Sequence, residues 1–117
     1  LNGATPLYVA AHLDSSVIAK LLITKNADIE AAQNNMATPL MAASINNSLD
    51  TIKLLLIAGA NINAQDINKN TALMLSSAQN HTLIIDILIK YKADLNRHNE
   101  LGNTALSIAA AAGYIKV

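Results

Sequence analysis

The chain has no cysteine, tryptophan or phenylalanine, and its aromatic residues are three tyrosines. Without cysteine there is no disulfide and no thiolate metal site, and the composition fits a reducing compartment. Yet 52% of the 117 residues are hydrophobic, so the core must be aliphatic and alanine-rich, which favours stacked helices over a sheet. An excess of one charge is also missing. Eight Lys and Arg balance eight Asp and Glu, which leaves no electrostatic footprint for a phosphate backbone and sets nucleic acid aside as a partner. No apolar run approaches the roughly 20 residues that span a bilayer, since Asp86 splits even the stretch from Leu83 to Ile89, and no membrane insertion is expected.

What the chain does have is a period. Thr5-Pro6-Leu7, Thr38-Pro39-Leu40, Thr71-Ala72-Leu73 and Thr104-Ala105-Leu106 each begin 33 residues after the one before. Ala27-Asp28-Ile29, Ala60-Asn61-Ile62 and Ala93-Asp94-Leu95 repeat at the same interval, each after an apolar cluster: Leu21-Leu22-Ile23, Leu54-Leu55-Leu56 and Ile87-Leu88-Ile89. A fixed period of this length means one supersecondary unit copied in tandem. The pattern resembles the ankyrin repeat, most closely over Ala37 to Asp66, and the resemblance covers essentially the whole chain. It implies an all-α solenoid of tandem helix-turn-helix units with projecting β-hairpin loops.

The residues support the same unit physically. Thr5 and Thr38 can cap a helix, and Pro6 and Pro39 fall at the first helical position, where no backbone donor is lost. Leu7, Ala10 and Ala11, and likewise Leu40, Ala43 and Ser44, recur at i, i+3, i+4, the buried stripe of a helix too short to stand alone. After a polar break, second helices run through Ile18 to Ile23, Ile52 to Ile57 and Ile84 to Ile89. Gly59 ends one of these as a left-handed cap, and the register predicts the same conformation for Asn26 and Lys92. The Asn- and Asp-rich segment from Ile62 to Asn70 lacks helical periodicity and predicts a turn. The whole is read as one domain over residues 1–117, with repeats at about 1–33, 34–66 and 67–99 and a partial repeat at 100–117. The first unit begins at Leu1-Asn2 without a preceding hairpin strand, and the fourth stops at Tyr114 to Val117, where a second helix should begin. A piece of a longer protein is expected, with end-to-end self-association through the uncapped C-terminal end as a further expectation.

Catalytic chemistry has little in the sequence to support it, and neither an enzyme nor a cofactor is expected. His12, His81 and His98 fall at different phases of the repeat, and none has a metal-ligand spacing around it. His81 lies where the family commonly places a histidine at the start of the second helix, which argues for a structural role. Ser76 and Ser77 replace a pair of alanines and are expected to bond back to the preceding turn rather than to act as nucleophiles.

A binding surface remains. The resemblance implies a concave face built from loop tips and the exposed side of the first helices, and in this numbering the candidate partner-binding residues are His12, Leu13, Asn34, Asn35, Ile45, Asn46, Ile67, Asn68, Asn70, Gln79 and Leu101. Leu13, Ile45, Ile67 and Leu101 are large aliphatics among uncharged amides, which suits a protein partner better than a phosphate; scattered surface aliphatics of no significance are the competing reading. The function is therefore read as protein–protein interaction. The alternative is a noncatalytic substrate-selecting or regulatory repeat segment of a larger enzyme or secreted effector. Asn96, and with it Asn63, occupies the loop position that an asparaginyl hydroxylase can modify in the family; the plainer reading is an asparagine bonding its own loop. An intracellular or cytoplasmic location is expected, or delivery into a host cell if the Ile-, Asn- and Lys-rich composition reflects an intracellular bacterium.

Overall fold

The computed structural model describes residues 3–113, so expectations placed on Leu1, Asn2 and Tyr114 to Val117 lie outside the described residues. Seven helices follow one another: α1 (Pro6–His12), α2 (Ser16–Thr24), α3 (Pro39–Ile45), α4 (Leu49–Ile57), α5 (Ala72–Ala78), α6 (Thr82–Lys90) and α7 (Ala105–Ala111). First helices have seven residues and second helices nine, lengths at which an isolated helix does not persist in water. They persist by stacking. α1, α3, α5 and α7 form one row, each against the next, and α2, α4 and α6 form a second row beside it. The result is an elongated array of 44 × 26 × 21 Å.

The threonines set where each unit starts. Oγ1 of Thr5, Thr38, Thr71 and Thr104 accepts the backbone N–H of Tyr8, Met41, Met74 and Ser107 at 3.2–3.3 Å, satisfying one of the donors that a helix start leaves over. Ser107 also returns a bond: its Oγ accepts the Thr104 N–H at 2.8 Å and completes a capping box. The serines inside the first helices are used locally, as expected. Ser76 and Ser77 Oγ donate to backbone carbonyls of Ala72 and Leu73 at 2.7–3.0 Å.

Three positions in each of the first three units are left-handed, and they recur in register. The ends of the second helices carry Asn26 at φ 66°, Gly59 at 93° and Lys92 at 69°, so the predicted conformation of Lys92 is found. In each case the next residue's N–H reaches five residues back, as from Ala60 to Leu55 O and Ala93 to Leu88 O, both at 3.0 Å, the pattern of a Schellman cap. The first helices end the same way at Asp14, Asn47 and Asn80, with φ between 52° and 56°. The loop tips hold the third set, Gly3, Met36, Lys69 and Gly102.

The projecting β-hairpins are a correction. Among the described residues there is no strand and no sheet. Each tip is a tight turn closed by two backbone bonds: Asp66 N–H to Asn70 O and Lys69 N–H to Asp66 O in one, Asn99 N–H to Asn103 O and Gly102 N–H to Asn99 O in the next, all at 2.8–2.9 Å. Side chains take the donors that a ladder would use. Asp66 Oδ1 accepts the N–H of both Asn68 and Asn70 at 2.9 Å, and Asn99 Oδ1 those of Leu101 and Asn103 at 3.0 Å. The short polar residues that mark the turn in sequence therefore also satisfy its backbone locally. Neighbouring tips are joined by single bonds, Ile67 N–H to Asn35 O and Glu100 N–H to Asn68 O at 2.9 Å.

Candidate partner-binding face

The expected binding residues come from two places in the repeat: the last turn of each first helix, and the tip of the loop that precedes it. The first set contains His12, Leu13, Ile45, Asn46 and Gln79, all exposed. The backbone there is held firmly, because the Schellman turns at Asp14, Asn47 and Asn80 fix the chain just beyond. His12 and Asn46, one unit apart, meet: Asn46 Nδ2 donates to His12 Nδ1 at 3.0 Å and to its own helix at Ala42 O at 2.9 Å. His81 Nε2 donates to Ile45 O at 2.9 Å and so ties the start of α6 to the end of α3, the structural role that its register implies. Thr51 Oγ1 adds a further tie between units through Asp14 Oδ1 at 3.0 Å.

The loop tips supply Asn34, Asn35, Ile67, Asn68 and Leu101, again all exposed. The bonds from Ile67 to Asn35 and from Glu100 to Asn68 place successive tips side by side. Large aliphatic groups stand in water along these two columns: Leu13 is 66% exposed, Ile67 60% and Leu101 84%. Ile45, at 39%, lies lower. Asn70 differs from the rest of the expected set. It is half-buried, and its Oδ1 accepts from Asn99 Nδ2 at 3.0 Å, so its carboxamide holds adjacent loops together. Met36 belongs to the same face and was missed. It is exposed at a left-handed tip position whose equivalents are Gly3, Lys69 and Gly102, and the spacing of the two glycines was the signal for it.

Below the tips the loops are laced together across units. Asn61 N–H donates to Glu30 Oε2 at 2.6 Å, and one unit on, Asp94 N–H donates to Asn63 Oδ1 at 2.8 Å. Arg97 Nη1 donates to Gln65 Oε1 at 3.2 Å, while its Nε meets Asp94 Oδ2 at 3.1 Å in an ion pair. The Asn96 N–H, and after it the Arg97 guanidinium, hold the Asp94 carboxyl below its ordinary range. Burial raises the phenol of Tyr8. Of the two asparagines marked for hydroxylation, Asn63 uses its side-chain oxygen in the inter-unit bond just described. Asn96 is exposed, with its own N–H on Asp94 Oδ1 at 2.9 Å.

Among the described residues no three His, Asp or Glu side chains gather as metal ligands, and no helix is long and apolar enough to cross a membrane. Comparison with curated proteins returned no match. The family described as "Ankyrin repeats (3 copies)" matches residues 1–66 and 62–117, which together take in every residue. With its threonine-capped first helices in phase along the array, the chain belongs to the ankyrin repeat family and is a protein–protein interaction module.

Proposed function

We propose that the chain binds its protein partner on the side formed by the loop tips and the last turns of the first helices, centred on Leu13, Ile45 and Ile67. The observation that carries this reading is the exposure of large aliphatics at places where the backbone is fixed by caps and by bonds between units. Rigid presentation lowers the ordering cost of binding, and a few central apolar anchors usually carry interface energy. Asn34, Asn35, Asn68 and Gln79 surround them with uncharged donors and acceptors, the polar rim of a protein interface. His12 and Asn46 serve as a pair, and Asn70 supports the loops from beneath.

The test is a partner captured from cell extract by the intact chain, identified by mass spectrometry and then titrated directly. Ile45→Asp should weaken it at least about tenfold, or ~1.4 kcal/mol, with the helical circular dichroism unchanged. If Ile45→Asp and Ile67→Asp both retain the partner while a change on the second helices at Lys53 or Asp86 releases it, the face is wrongly assigned.

A further inference from the structure

The outer side of the second helices carries an apolar groove of its own, away from the loop tips. It runs along the seam between α2 and α4, holds about 300 Å³ and is lined by Val17, Lys20, Asp50, Lys53, Leu54 and Ile57. No further unit would close it. α4 is packed on both sides, by α2 and by α6, and Asp50, Lys53 and Ile57 are exposed all the same. Val17 is 79% exposed and Ile57 74%, more than Leu13, Ile45 or Ile67.

The charges along this seam differ from those along the next. Positions 20, 53 and 86 are equivalent in the repeat, and they hold Lys20, Lys53 and Asp86. Between α4 and α6 a lysine therefore stands beside an aspartate, whereas between α2 and α4 two lysines line one groove. Neither is neutralised by a carboxylate: among the described residues the ion pair is that of Arg97 with Asp94. Two ammonium groups on one groove repel each other, while their methylene stems add apolar surface to an aliphatic floor. An anion carried on an aliphatic scaffold relieves the repulsion and covers the floor. Asp50 lies about one turn back from the lysines, at the start of α4, where the helix favours a negative charge. An acidic group is thus attracted at one level of the groove and opposed at another.

We infer that this groove docks a helical segment of a partner protein that places a Glu or Asp between Lys20 and Lys53 and, one turn along, a Leu or Ile on Leu54 and Ile57. A Lys or Arg one turn in the other direction meets Asp50. The mode is helix-in-groove recognition, with the charges fixing the register. It is separate from the face of loop tips and does not depend on it.

The probe is a phage-displayed library of random peptides, each long enough for about four helical turns, selected on the intact chain and depleted on a Lys20→Glu/Lys53→Glu double variant. Both sites are exposed and Asp86 shows that the register accepts an acid, so the variant should keep its helical circular dichroism. Peptides that the chain retains and the variant loses should carry an acidic residue with an aliphatic one three or four positions away. In fluorescence anisotropy the tightest of them should bind the variant at least tenfold more weakly, and its counterpart with lysine in place of the acid should regain the variant. Ile57→Asp should weaken it severalfold, and so should raised ionic strength. Ile45→Asp should leave it unchanged, which separates this groove from the face proposed above.

The inference is overturned if no peptide distinguishes the chain from the variant, if those that do lack acidic residues, or if salt leaves their binding unchanged. Two other occupants would also overturn it. Phosphatidylserine vesicles that carry down the chain but not the variant, with no peptide selected, assign the groove to an anionic lipid surface. A dimer of the chain alone, abolished in sedimentation by the double variant, assigns it to a second copy.

Discussion

α3 and α7 are nearly the same helix. Both have seven residues, both start behind a capping threonine, and Thr104 even adds a capping box that Thr38 lacks. Yet Pro39, Leu40, Met41, Ala42, Ala43 and Ser44 are all buried in α3, and Ala105 alone is buried in α7. The cap is thus as good at the C-terminal end as in the middle, although α7 lacks the proline that opens α3. What differs is the number of neighbours. In a tandem array stability is a sum of unit and interface terms, and an end unit lacks one interface.

The largest test of this difference is at its central leucine. Leu40→Ala should cost about 2–5 kcal/mol, because it removes a filled core position. Leu106→Ala should stay within about 0.5 kcal/mol, as an exposed substitution does. Denaturant titration of the two variants checks this; equal losses would mean that α7 is supported as fully as α3. Native-state hydrogen exchange extends the comparison along the chain. Protection should be greatest over Leu40 to Leu56 and least beyond Thr104, and uniform protection would break the contrast.

Smaller effects come from single caps. Lys92 sits at φ 69°, where its counterpart Gly59 has no β-carbon to accommodate. Lys92→Gly should stabilise the third unit by a few tenths to about 1 kcal/mol, offset in part by the freedom glycine adds to the unfolded chain. A loss of stability in thermal unfolding would show that the lysine side chain holds something its backbone geometry does not reveal. The smallest effect belongs to Asp94. Its folded carboxyl is held below the unfolded value, so its contribution is present above the ordinary carboxylate range and is lost as pH falls through the folded value. Asp94→Asn should flatten that part of an acid titration of stability only slightly, because the group is exposed and screened.

Much of the fold could be read from periodicity because a cap or a buried stripe is a local event repeated in phase. Thr38, Leu40 and Gly59 needed no knowledge of distant residues, and even the left-handed Lys92 followed from alignment alone. The loops were harder. Expecting hairpin strands there overlooked that Asp66 and Asn99 would take two backbone donors each, which leaves no ladder to build. Of the binding face, exposure at Leu13, Ile67 and Leu101 was legible from register. The bonds of Asn46 to His12 and of Asn70 to Asn99 were not, since they join residues 34 and 29 positions apart and depend on how units stack. The left-handed tips had a visible clue in Gly3 and Gly102, three periods apart, but Met36 and Lys69 between them concealed it.

The recurrence of three left-handed turns in each of the first three units bears on how such a chain can change length. Each unit leaves and re-enters the stack with the same local conformation, so duplication or excision of a whole 33-residue block keeps every cap, latch and tip in phase. A single-residue insertion inside a helix cannot. It would turn the buried stripe away from its neighbour at once. In evolution and in the laboratory alike, the natural unit of variation for this chain is the block and not the residue.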